Sequence, residues 1–138
     1  YRVSWSPTSS EIAFSPLDSF GGKIMAIKPD GTGLRSLVLG LNAAYPSWSP
    51  DGRYIAFTQD FSKIFVHDLQ THQNTQLTFG SSYDSWPTWS SDSRTIVFSS
   101  RPRIDSSPSA IHSVQIDGTN RFALTDTLGT DFFPVWQR

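Results

Sequence analysis

The chain has 138 residues, the length of one ordinary domain, with 11 Lys plus Arg against 12 Asp plus Glu. This balance supplies no basic field to hold nucleic acid or an anionic membrane surface, and no apolar run approaches the ~20 residues needed to cross a bilayer. Cysteine is absent, which excludes disulfide frameworks, thiolate metal sites and cysteine nucleophiles.

In chain order, the first element ends on Trp5 and returns at Trp48, Trp89 and Trp136, with spacings of 43, 41 and 47 residues. The anchors stand in Val3-Ser4-Trp5-Ser6-Pro7, Pro46-Ser47-Trp48-Ser49-Pro50, Pro87-Thr88-Trp89-Ser90-Ser91 and Pro134-Val135-Trp136. A second element follows the first three anchors: Ile12-Ala13-Phe14, Ile55-Ala56-Phe57 and Ile96-Val97-Phe98. Ile24, Ile64 and Ile111 mark a third, and each precedes a leucine of a fourth (Leu37, Leu77, Leu124) by 13 residues. Every element is short, rich in β-branched and aromatic residues and bounded by Gly, Pro, Ser or Asp, the signature of strands. Asp51-Gly52 and Asp92-Ser93 predict a hairpin between elements one and two, and Asp30-Gly31 and Asp117-Gly118 another between three and four. The apolar runs are nearly continuous, as in sheets buried on both faces. These features predict an all-β chain of four-stranded antiparallel blades packed face to face. A fully buried Trp is worth about 4–6 kcal/mol as an upper estimate, so the repeated Trp reads first as a core residue.

The run Tyr45-Pro46-Ser47-Trp48-Ser49-Pro50-Asp51-Gly52-Arg53-Tyr54-Ile55-Ala56-Phe57 resembles the TolB-type, WD40-like β-propeller repeat. The resemblance divides residues 1–138, a single propeller segment, into blades of about 2–43, 44–84 and 85–131, with 132–138 resembling the first strand of a next one. Departures fall on the first copy, with Arg2-Val3 for aromatic-Pro and Thr8-Ser9 for Asp-Gly, and on Ser91 for Pro in the third. The resemblance implies half of a six-bladed ring, with the Trp strand innermost and the Leu strand outermost. Three blades cannot close a ring. The expectation is either the remainder of a longer propeller or self-association of two copies, three blades plus three.

No G-x-S-x-G, H-E-x-x-H or phosphate-binding glycine loop is present, so neither catalytic residues nor a metal or cofactor is expected. His67 and His112 fall on the third strand of their repeats and His72 in a polar turn, all read as structural; Asp30, Asp51 and Asp117 read as turn formers. The candidate binding residues lie on segments entering the innermost strand and on the loops between strands two and three, which converge on one channel mouth. Asp84 and Asp131 share a repeat position and would offer either an acidic rim or a turn cap. Tyr45, Trp86 and Phe133 share another, suited to packing or to anchoring a partner. Asp60, Arg101 and Arg103 come from the loops, the longest of which is Ser99 to Ala110.

The expected function is a non-catalytic scaffold for a protein or peptide partner, without nucleic acid or membrane insertion. The TolB resemblance implies a periplasmic or extracellular setting, although the composition also suits the cytoplasm. Two alternatives stand beside it: the gating propeller of a prolyl oligopeptidase-type serine peptidase, and a metal-dependent propeller enzyme.

Overall fold

A computed structural model describes residues 3–16, 22–39, 42–102, 108–126 and 129–136. Three antiparallel sheets are formed. The first contains β1 (Val3–Trp5), β2 (Ile12–Phe14), β3 (Ile24–Ile27) and β4 (Arg35–Val38). The second contains β5 (Ala43–Trp48), β6 (Tyr54–Gln59), β7 (Lys63–Asp68) and β8 (Asn74–Gln76). The third contains β9 (Tyr83–Trp89), β10 (Thr95–Arg101), β11 (Ala110–Gln115) and β12 (Phe122–Ala123). Within each, spatial order follows chain order, and β1, β5 and β9 approach one another.

The repeat has a local cause. The serine after each of the first three anchor Trp residues is buried, and its hydroxyl accepts from the backbone N–H at the start of the next strand: Ser6 from Glu11 at 3.0 Å, Ser49 from Tyr54 at 2.9 Å and Ser90 from Thr95 at 2.9 Å. Ser49 and Ser90 also donate to Asp51 and Asp92, each at 2.6 Å, and those carboxylates accept the N–H of Arg53 and Arg94. The turn then needs one residue at positive φ, supplied by Gly52 (77°) and, at the same position, by Ser9 (55°) and Ser93 (59°). The Asp-Gly pairs of the outer hairpins behave alike: Asp30 accepts from the N–H and hydroxyl of Thr32, and Asp117 from those of Thr119. These bonds hold both carboxyls below their ordinary pKa.

Two cores separate the three sheets. Ala13, Ile24 and Leu37 meet Trp48, Ile55 and Phe57; Ala56, Ile64 and Leu77 meet Trp89, Ile96 and Phe98. Trp48 and Trp89 each pack against the sheet before their own and are 7% and 4% exposed, whereas Trp5, with no sheet on that side among the described residues, is 47% exposed. Of residues 132–138, expected as an opening strand, the described ones, 132–136, join no sheet, since the described residues offer them no second strand to pair with.

Candidate functional site

The mouth is assembled where β6 turns into β7 and where chains enter β5 and β9. One backbone bond recurs there: Ala43 N–H donates to Gly22 O at 3.0 Å, Asp84 N–H to Ser62 O at 3.0 Å and Asp131 N–H to Ser109 O at 3.1 Å. Each bond ties the chain entering an innermost strand to the preceding inter-strand loop, so the entry segments are fixed whatever their side chains.

Just beyond each bond, β5 and β9 carry a bulge, between Ala44 and Ser47 and opposite Val97 to Ser99. The bulged residues are Tyr45-Pro46 and Trp86-Pro87. Tyr45 (φ 54°), Trp86 (58°) and the equivalent Phe133 (55°) all lie in the left-handed region, which an aromatic side chain occupies at a cost of about 1–2 kcal/mol. This geometry brings their rings together. Tyr45 meets Trp86 edge-on at 5.7 Å; Trp86 meets Phe133 at 4.6 Å and Phe132 edge-on at 5.4 Å. The ladder becomes more open along the chain, from half-buried Tyr45 and Trp86 to Phe133, which is 54% exposed. Arg101 lies over the Phe132 ring, 6.0 Å from its centre. Arg103 lies outside the described residues.

Asp60 belongs to the turn Gln59 to Ser62, closed by Ser62 N–H donating to Gln59 O at 3.0 Å. Asp60 (φ 48°) and Phe61 (φ 56°) are both left-handed, the geometry of a primed hairpin turn in which Asn-Gly is the favoured pair. Its carboxylate accepts from Asn42 Nδ2 at 2.8 Å and Gln59 Nε2 at 3.2 Å. Phe61 therefore occupies a position suited to glycine, and its side chain is 62% exposed. Sequence reasoning missed Phe61. The signal was an aromatic residue after Asp in a three-residue link between two strands.

Asp84 is completely buried between the second and third sheets. Its carboxylate accepts from Ser100 Oγ at 2.6 Å, Ser82 Oγ at 3.2 Å and Arg121 Nη1 and Nη2 at 3.0 and 3.1 Å. Arg121 reaches it across its own sheet, with Cζ 5.3 Å from the Phe98 ring centre. The carboxylate is thus already neutralised inside the protein. Asp131 differs: its carbonyl accepts from Ser109 Oγ at 2.6 Å and Ser99 Oγ at 3.1 Å, while its carboxylate has no hydrogen bond or ion pair among the described residues. Arg121 was also missed, although it is the one basic residue at a position where the other repeats carry Leu34 and Asn74.

His67 and His72 face each other with ring centres 6.1 Å apart, and His112 stands apart from them on the third sheet. His67 Nδ1 pairs with Asn74 Oδ1 at 2.8 Å on the neighbouring strand, and His112 packs against Phe98. Burial first, and then the charge of Arg121, lower the pKa of His112. Among the described residues no three His, Cys, Asp or Glu side chains converge as a metal site, and no helix is long and apolar enough to cross a membrane.

Three four-stranded antiparallel sheets packed face to face, with their first strands innermost, make this chain a partial β-propeller. Its fold is that of TolB-type propellers. No protein-family model matches the chain. It is 29% identical over 133 residues to the uncharacterized protein Atu1656 of Agrobacterium fabrum, an alignment covering 94% of this chain and 44% of that protein. Over 53 residues, 38% of this chain and 12% of its relative, it is 40% identical to the Tol-Pal system protein TolB of Gluconobacter oxydans. A solved structure from Agrobacterium tumefaciens assigned as TolB matches with a TM-score of 0.78 at 20% identity, over 91% of this chain and 50% of that one. Oligogalacturonate lyase from Vibrio parahaemolyticus matches with a TM-score of 0.70 at 12% identity, over 91% and 39%. The chain spans less than half the length of the curated relatives it matches, and propellers of both enzymatic and non-enzymatic proteins share the fold.

Proposed function

We propose that the chain is part of a non-catalytic propeller that binds a protein or peptide partner through the mouth built by Tyr45, Trp86, Phe133 and the Asp60-Phe61 turn. The observation that carries this reading is the series of aromatic residues held at positive φ. Glycine would occupy those positions without strain. Retaining aromatic rings there costs stability, and what the cost supplies is a rigid, partly open apolar surface on a fixed scaffold, the composition of a binding hot spot. The polar groups beside it suit the same role: Asn42 and Gln59 hold Asp60 in place, Arg101 lies over Phe132, and the carboxylate of Asp131 is available to a partner. Arg101, expected in the loop, is instead the last residue of β10, and Arg103, two residues further on, is included in the proposed surface on its sequence position. The resemblance to TolB supports a periplasmic location for this activity.

Selection from a displayed library of random dodecapeptides tests the reading. Enriched peptides should bind the chain and lose about tenfold or more in affinity to Trp86→Gly and Phe61→Gly, a loss typical of hot-spot truncation. Failure to enrich any peptide, or enriched peptides indifferent to both substitutions, would overturn it.

A further inference from the structure

At the opposite end of the strands from the mouth, a cleft of about 340 Å³ opens between the second and third sheets. It lies where β6 begins and where β7 and β11 end, so it shares no residue with the aromatic ladder. Its floor is apolar, built by Val66 and Ile116 with Tyr54. The Tyr54 ring is stacked on Trp89 at 6.1 Å and covered by the Arg53 guanidinium at 4.9 Å, which fixes it in the wall. Around this floor stand polar groups of mixed character: the hydroxyls of Thr71 and Thr75, the Gln73 amide, the Tyr54 phenol and the carboxylate of Asp117.

Most of these groups have hydrogen-bonding capacity to spare. Asp117 uses one oxygen, Oδ1, to accept from the N–H and hydroxyl of Thr119, which leaves Oδ2 uncommitted. Among the described residues no hydrogen bond within the protein engages the side-chain hydroxyls of Thr71, Thr75 and Tyr54 or the side-chain amide of Gln73. Asp68, by contrast, is spent: Oδ2 accepts from Arg53 and Oδ1 from the N–H groups of Gln70 and Thr71. The one remaining formal charge is therefore negative, at Asp117, and the rest of the lining is neutral.

We propose that this cleft is a binding site for a neutral saccharide ring. A pyranose presents apolar C–H faces to the Val66, Ile116 and Tyr54 floor and a rim of hydroxyls, each both donor and acceptor, to Thr71, Thr75, Gln73 and Asp117. The volume falls at the small end of ligand pockets and suits one ring or two. Asp117 accepts from a hydroxyl and repels an anionic ligand, so a uronic acid or a sugar phosphate is selected against.

The test is a titration of the isotopically labelled chain, followed through its backbone amide resonances, with D-glucose, D-galactose, N-acetyl-D-glucosamine and cellobiose in turn, and sodium D-galacturonate as the charged counterpart. At least one neutral sugar should shift the amides of residues 71–75 and 115–118 in fast exchange, with a dissociation constant on the order of millimolar. Gln73→Ala and Thr75→Val, both at exposed positions, should each weaken that sugar about three- to tenfold with the rest of the spectrum unchanged, and galacturonate should bind more weakly than galactose. Tighter binding of cellobiose than of glucose would identify a glycan chain as the ligand, and equal binding a single ring. No shifts at 71–75 and 115–118 up to about 100 mM of every neutral sugar, shifts indifferent to both substitutions, or galacturonate binding as well as galactose would overturn the proposal.

Discussion

Asp84 and Asp131 occupy the same place in successive repeats and make the same backbone bond to the preceding loop, yet their side chains have different fates. Asp84 is wholly buried and carries an ion pair with Arg121; the carboxylate of Asp131 has no partner among the described residues. The repeat therefore dictates the path of the backbone, while the role of the side chain depends on what one particular blade sends across its sheet to meet it. At the mouth the same division holds: the positive-φ bulge recurs, but exposure of the ring it carries rises from Tyr45 to Phe133.

The sharpest way to break the Asp84 and Asp131 contrast is to remove each carboxylate. Asp84→Ala should lower unfolding stability by about 3 kcal/mol, because Arg121 would keep its charge in a largely buried site without a counterion. Asp131→Ala should change stability by less than about 0.5 kcal/mol. The double variant Asp84→Leu with Arg121→Met should recover much of the loss, as apolar replacement of a buried pair commonly does. Denaturant unfolding checks all three.

Next in size, Trp86→Gly should cost about 1–2 kcal/mol, the lost ring contacts being partly offset by relief of the backbone. Phe61→Gly should act in the other direction, raising stability by about 1 kcal/mol, because the ring is mostly exposed and glycine fits the turn without strain. A smaller effect concerns His112, whose folded pKa is lowered by burial and by Arg121. The unfolded chain then takes up this proton first, so stability should decline as the pH falls below about 6.5, and His112→Gln should remove that part of the decline in thermal melts. Smallest of all is the exposed Arg53 and Asp68 pair. The hydrogen bond from Arg53 lowers Asp68 to about 2, so its contribution is present above about pH 4 and lost between pH 4 and 2; Asp68→Asn should flatten that acid limb without a large change at pH 7.

Much of the fold is legible in the text of the chain because its determinants are local. The Trp-Ser-Pro-Asp-Gly run names its own hydrogen bonds: serine to the next strand, aspartate to the turn, glycine at positive φ. The hairpins and the strand order follow from these short-range rules, whereas the inner position of the Trp strand was implied by the resemblance to TolB-type repeats. The candidate site was only partly legible. Tyr45, Trp86 and Phe133 are aligned by the repeat, and their contact follows from that alignment. The Arg121 link to Asp84 joins residues 37 apart in sequence across a sheet, and no local pattern announces it. Phe61 was hidden for the opposite reason: Asp-Phe lacks the glycine that signals a primed turn, so strain concealed the turn. The contrast between Trp5 and Trp48 depends on whether a sheet lies on one side, which is a property of the packing and not of either tripeptide.

Strained aromatic residues at the mouth are proposed to serve binding at the expense of stability, and Phe61→Gly separates the two effects when melting temperature and affinity for a selected dodecapeptide are measured on the same preparation. A higher melting temperature is expected, together with about tenfold or more weaker binding. A lower melting temperature with unchanged affinity would contradict it, because Phe61 would then be supporting the fold and not the partner.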